Sequence, residues 1–201
     1  MTLGDVLGLS DAQENVLVRG LQLVLVAFLG YGLATGQFAI AGTAGIALAI
    51  TLLPAWLRVE YGYAMDAGLV LWITLAVILH TIGSIWLYEQ YQWYDEIAHT
   101  VSASVIAGLG YAAFRAFELH SEEMSVPSTF RSVFIVVFVL AIGVLWEVLE
   151  FALGGLVTVY GIDDIATDFV FNAVGAVIVA IWGTGYVSEL VGFFGQRLRS
   201  T

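Results

Sequence analysis

The chain has 201 residues, 60% of them hydrophobic, and carries a net charge of −11 with six basic residues, all arginine. A soluble domain is nearer roughly 45–50% apolar, and barrel strands would be about ten residues of strict alternation. The composition therefore excludes an ordinary soluble domain, and the long unbroken apolar stretches exclude a β-barrel. The lack of cysteine excludes disulfides, thiolate metal sites and a cysteine nucleophile, and without a basic patch nucleic-acid binding is excluded as well.

The expected fold class is all-α: a polytopic integral membrane protein, a bundle of six transmembrane helices forming a single domain over residues 1–201. A span needs about 20 apolar residues, and six segments qualify. Asp5, Asp11 and Glu14 precede the first, with no basic stretch, so a cleavable signal peptide is not expected. The first span covers 16–35, with Arg19 near its start, and the second covers 38–57, followed by Arg58. Only Gly36 and Gln37 separate them, which predicts a tight hairpin, read here as scaffold. The third span, 67–88, contains His80, and the fourth, 95–117, opens on Asp95, Glu96 and His99. The longest loop holds Glu118, Glu122, Glu123 and Pro127 between Arg115 and Arg131. The fifth span, 130–156, carries Glu147 and Glu150. The sixth, 164–193, follows Asp163, begins with Asp164, Asp168 and Asn172, and leads to Arg197 and Arg199.

With six spans every arginine falls on one side. The positive-inside rule then places both termini in the cytoplasm of a multi-pass plasma-membrane protein. Abundant carboxylates without lysine fit a salt-loving organism such as a halophilic archaeon.

The polar residues gather at the opposite, outer ends of helices three to six. An ionisable side chain inside a bilayer costs about 2.5–3.5 kcal/mol on the insertion scale, so it usually marks function. At 1.5 Å per residue, His80, Glu147 and Asn172 sit roughly 12 Å from their helix ends and His99 and Asp168 roughly 6 Å. Asp95 and His99 share a helical face, as do Gly143, Glu147, Glu150 and Gly154, and Asp164, Asp168, Asn172 and Gly175. A polar layer between helices three to six, open to the outside, is the expected site.

His99, Glu147, Glu150 and Asp168 are the candidate metal ligands, and Asp95 the residue that orients His99. A divalent cation fits histidine among carboxylates, with Mg²⁺, Mn²⁺, Zn²⁺ and Fe²⁺ all admissible. Glu147 or Glu150 is the candidate catalytic base toward a metal-bound water. His80, Asp164 and Asn172 are supporting residues, with helix capping or hydrogen bonding as the plainer reading of Asp164 and His80. Trp86, Tyr88, Tyr91, Trp93 and Tyr94 read as an interfacial aromatic belt. Ser102 and Ser104 read as helix-packing residues.

His80-Thr81-Ile82-Gly83, Tyr94-Asp95 with His99, Glu147-Val148-Leu149-Glu150 before an aromatic, and Asp164 with Asp168 follow one another from helix three to helix six. In these pieces the chain resembles the YjdF-type family of polytopic membrane proteins. More distantly, Asp168-x-x-x-Asn172-x-x-Gly175 after an acidic helix is similar to VanZ-like proteins, although the basic residue those proteins tend to carry before the aspartate is missing here. The resemblance implies the architecture and the site but no activity.

Three functions are compatible with this layer. The first is a metal site acting on a lipid-linked or small substrate. The second is a cation or proton transporter. The third is a non-catalytic membrane subunit or assembly factor whose acids only join helices. An enzyme needs one-sided access, a transporter needs a polar path to the cytoplasm, and a structural cluster needs no pocket.

Overall fold

A computed structural model describes residues 8–121, 124, 126–152, 161–183 and 187–199. Seven helices account for the regular structure among the described residues. Helix α1, Asp11–Thr35, starts on a capping box in which the Ser10 hydroxyl accepts from Gln13 N–H and the Gln13 side chain accepts from Ser10 N–H. It stops at Gly36, whose φ of +71° glycine adopts without strain. Helix α2, Phe38–Tyr61, returns directly alongside it, so the short connection does form a hairpin. The two backbones touch at Gly32, where an added Cβ would stand 2.6 Å from the Ala41 nitrogen.

Helix α3 covers Ala67–Gln90. Asp66 caps it by accepting from Leu69 N–H at 3.0 Å, and it widens into a π turn over Gly83–Leu87. Extended Tyr91 separates it from α4, Gln92–His120. Helix α5 is Ser128–Ala152 and α6 is Ile162–Ile181, also with a π segment at its end. Helix α7 is Ser188–Arg199.

Helices α1 to α6 are each long and apolar enough to cross a membrane. Helix α4 is the hub. Ala103 and Ala107 on it pack with Ile135 and Val139 of α5 and Ala176 and Val179 of α6. Small residues there let backbones approach closely, the usual means of joining helices in lipid. Leu25, Ala47 and Ile78 hold α1, α2 and α3 together. On α5, Val144, Leu145, Val148 and Leu149 point outward while Gly143 and Glu147 are buried. That face is suited to lipid contact and leaves the acidic stripe turned inward.

The structure redraws several expected boundaries. Among the described residues the sixth candidate span is Ile162–Ile181, against the expected 164–193. The helix ends near Gly183, and Phe193 belongs to α7. Helix α7 is amphipathic: Leu190, Val191 and Phe194 pack with Leu69, Ala112 and Tyr63, while Glu189, Gln196 and Arg199 are exposed. Leu156, the expected end of the fifth span, and Gly154 lie outside the described residues, as do Glu122 and Glu123 of the long loop.

Glu118 is not a loop residue. It is buried in the last turns of α4, where it accepts from Arg131 at 2.9 and 3.1 Å, from Val126 N–H at 3.2 Å, and pairs with Arg115 at 2.7 Å. Arg197 stacks over the Tyr61 ring at 4.3 Å, and Tyr63 stacks on Phe193 with centroids 4.3 Å apart. Burial, with the charges of Glu189 and Asp66 adding to it, pushes the Tyr63 hydroxyl up to about 12. The first hairpin also carries a buried acid, Glu14 in the first turn of α1.

Candidate functional site

The site lies at the opposite end of α4 from Glu118, about 35 Å away at 1.5 Å per residue. Its frame is the contact between α4 and α6. A Cβ on Gly175 would overlap the Thr100 carbonyl oxygen and stand 2.8 Å from the Ala103 Cβ. Only glycine permits this approach, and it brings the first turns of α4 against those of α6. His99 and Asp168 are both buried there.

His99 makes three polar contacts. Its Nδ1 lies 3.3 Å from Asn172 Oδ1, and its Nε2 lies 3.5 Å from both Asp95 Oδ1 and Asp168 Oδ1. Asn172 can only accept through Oδ1, so Nδ1–H donates to it and Nε2 is left with its lone pair. In that tautomer the imidazole lone pair lies 3.5 Å from each of two carboxylate oxygens. Asp95 Oδ1 is buried and has no hydrogen-bond partner. A separation of 3.5 Å is long for a hydrogen bond. It is close to the edge of a tetrahedron whose four ligands sit about 2.0–2.1 Å from a central metal, an edge of about 3.3 Å.

His80 reaches the same layer from α3. Its ring is 5.1 Å from that of His99, edge to face, and its Nδ1 and the Tyr88 hydroxyl share a hydrogen bond of 2.6 Å. The tautomer that leaves Nε2 free has Nδ1–H donating to the phenol oxygen. The π turn brings Tyr88 back over the helix, and Gly83 makes room, since a Cβ there would overlap the Tyr88 ring. Tyr94 donates to the Leu79 carbonyl at 3.2 Å. These two tyrosines therefore belong to the site and its wall, a correction to the aromatic belt. Trp86, Tyr91 and Trp93 remain exposed, as a belt requires.

Ligand atoms of His80, Asp95 and His99 lie within 4.8 Å of one another, and so do those of Asp95, Asp164 and Asp168. Asp164 is thus brought into the acid cluster from the first turn of α6. Glu147 and Glu150 join neither group. Glu147 is buried on the α5 face that abuts Asn172 at Gly143, and its Oε1 has no hydrogen-bond partner. Trp146 packs on His80 with centroids 6.0 Å apart. Ser104 accepts from the Trp72 indole at 2.8 Å, in keeping with a packing role.

A cleft of about 550 Å³ runs from the surface to this layer. Asp95 and Asp168 line its floor side, and Glu89, Glu96, Asp163 and Asp164 its mouth. The polar cluster is therefore not closed. On the other side, the apolar cluster of Ala103, Ala107, Ile135, Val139, Ala176 and Val179 fills the space between α4, α5 and α6.

Tyr88 is the functional candidate that sequence reasoning missed. The available signal was its spacing of eight from His80, two helical turns that put both on one side of α3. No curated protein and no solved structure matches the chain. The family model of predicted membrane proteins known as DUF2238 matches residues 16–189, most of the sequence, and the chain belongs to that family of multi-pass membrane proteins.

Proposed function

We propose that this protein binds a divalent metal in an intramembrane His/carboxylate site and acts on a lipid-linked or small substrate that enters through the acidic cleft. The observation that carries the reading is His99 Nε2 lying 3.5 Å from each of two carboxylate oxygens, Asp95 Oδ1 and Asp168 Oδ1, where ligand atoms of His80, Asp95 and His99 and of Asp95, Asp164 and Asp168 converge within 4.8 Å. Facing lone pairs repel unless a cation lies between them, and the spacing suits a metal better than a shared proton. His99 and Asp168 keep the ligand role expected for them, and Asp95 acts as a ligand as well as a neighbour of His99. Glu147, with a free buried oxygen, serves as the base, with Glu150 beside it in the acidic stripe.

The metal would polarise a substrate oxygen or acidify a bound water. The chain's own part is to hold His99 in one tautomer through Asn172, to hold His80 through Tyr88, and to accept a proton at Glu147. Helices α1 and α2 serve as scaffold. Both termini face the cytoplasm in this reading and the cleft opens on the outer face of the plasma membrane, because the basic residues gather at the other end of the bundle. The acidic, lysine-free composition fits a high-salt setting. The resemblances to YjdF-type and VanZ-like proteins supply no activity to transfer.

Two observations favour this reading over the others. The apolar cluster between α4, α5 and α6 interrupts any polar path toward the basic end, which disfavours transport. The cleft and the unpartnered oxygens of Asp95 and Glu147 disfavour a purely structural cluster, whose groups would satisfy one another. The test is metal analysis of protein purified without chelator, with Asp95→Asn for comparison. Near-stoichiometric metal in the wild type, lost in the variant, is expected. Trace metal in both would overturn the proposal, and pH-gradient-driven ion uptake into liposomes would replace it with transport.

A further inference from the structure

We infer that the site holds two cations side by side, with the Asp95 carboxylate bridging a nitrogen-rich half and an all-oxygen half. This rests on the metal-binding reading above and divides its ligands, with His99 on one ion, Asp168 on the other and Asp95 on both.

Two groups of three ligands have one member in common. His80, Asp95 and His99 converge within 4.8 Å, as do Asp95, Asp164 and Asp168. A carboxylate has two oxygens and can serve both groups, and paired sites of this kind hold their metals about 3.5–4 Å apart. The groups come from different elements. His80 stands on α3, Asp95 and His99 on α4, and Asp164 and Asp168 on α6, so the bridging residue sits on the hub helix.

Charge argues for the second ion. Asp95, Asp164, Asp168, Glu147 and Glu150 bring five carboxylates to one layer. Arg115 and Arg131 pair with Glu118, at the far end of α4. One divalent ion leaves three of the five charges without a counter-charge, and two leave one. Buried charge without a counter-charge is costly. Glu147 is nine-tenths buried and its Oε1 has no hydrogen-bond partner.

The two halves differ in chemistry and access. Two imidazoles and one carboxylate suit zinc or iron, whereas three carboxylates suit magnesium or manganese. Asp95, Asp164 and Asp168 line the cleft, and the two histidines do not. The oxygen half therefore exchanges with solvent first, and the histidine half retains its ion longer.

The experiment uses the full chain in detergent, loaded with one equivalent of zinc, then with excess manganese, desalted and analysed for both metals. The wild type is expected to hold one zinc and one manganese. His80→Gln is expected to lose zinc and keep manganese, Asp164→Asn to lose manganese and keep zinc, and Asp95→Asn to lose both. Wild type loaded with manganese alone is expected to give the paramagnetic resonance spectrum of a spin-coupled pair, a readout that needs no variant to fold. A single ion per wild-type chain, with the spectrum of isolated manganese, overturns the two-cation inference and leaves the single-metal reading standing. No bound ion overturns both.

Discussion

Gly175→Ala should loosen the α4–α6 contact and disable the site together. An alanine Cβ would overlap the Thr100 carbonyl, stand 2.8 Å from the Ala103 Cβ and 3.1 Å from the Ser104 nitrogen, where ordinary contact is 3.4–4 Å. Two of these partners are backbone atoms, which cannot rotate aside, so the helices must part by about 1 Å to restore normal carbon spacing. Overpacking of this kind costs about 1–3 kcal/mol, against a gain of about 0.5–1 kcal/mol for removing a helical glycine. The net effect is a loss of order 1 kcal/mol, or a fall in melting temperature of about 2–4 °C for a chain of this size. The same displacement would carry the His99–Asn172 contact, already 3.3 Å, out of hydrogen-bond range and weaken metal binding at least tenfold. Thermal unfolding in detergent and metal titration read the two effects. Gly30→Ala is the control, because nothing lies within 4 Å of its added Cβ, and it should keep only the helical gain. If Gly175→Ala raised the melting temperature as Gly30→Ala does and kept its metal affinity, the close helix contact would not be what builds the site.

Three further outcomes follow from other parts of the molecule. Tyr88→Phe removes the hydroxyl that holds His80 Nδ1 at 2.6 Å; it should weaken metal binding about tenfold with a stability loss of only about 1 kcal/mol, and unchanged affinity by titration would remove Tyr88 from the site. Glu118→Ala takes the shared partner from Arg115 and Arg131; since both guanidiniums can partly rehydrate, the loss should be about 1–3 kcal/mol in unfolding measurements, with metal per folded chain unchanged because the knot is at the other end of α4. Tyr63 is protonated more tightly in the folded state, up to about 12, than in the unfolded chain near pH 10. Its contribution is therefore complete below pH 10 and is lost as pH rises from there toward 12. Tyr63→Phe should flatten that alkaline decline, and an identical decline in the variant, followed by unfolding at stepped pH, would assign it to other groups.

The helix order and the site's four contributing helices were legible in the sequence because burial in lipid leaves so few polar residues inside a span. His99, Glu147, Asp168 and Asn172 stood out for that reason, and all four are buried. The helical spacing of Gly143 and Glu147, and of Asp168, Asn172 and Gly175, showed which residues share a face. What the spacing could not show is how faces meet. The π turn at Gly83–Leu87 turns Tyr88 inward, and Tyr94 reaches the Leu79 carbonyl from α4, although composition alone makes both belt residues. Whether Asp164 merely caps α6 or joins Asp95 and Asp168 depends on the α4–α6 approach set by Gly175, a contact between residues far apart in sequence. Glu118 was misplaced because an acid beside a loop reads as solvated, and its burial depends on two arginines brought from both sides of that loop. The merger of α6 and α7 into one span came from hydropathy alone. Leu190 and Phe194 are apolar in either case, but here they pack on Leu69 and Ala112.

Anomalous diffraction from crystals of protein never exposed to chelator, recorded on either side of a metal absorption edge, tests the central claim most directly. A peak is expected beside His99 and Asp95, about 2.0–2.2 Å from His99 Nε2 and from the nearest carboxylate oxygen. A map without that peak, with His99 instead donating from Nε2 to either carboxylate at ordinary hydrogen-bond distance, would contradict it and make the layer a protonated structural cluster.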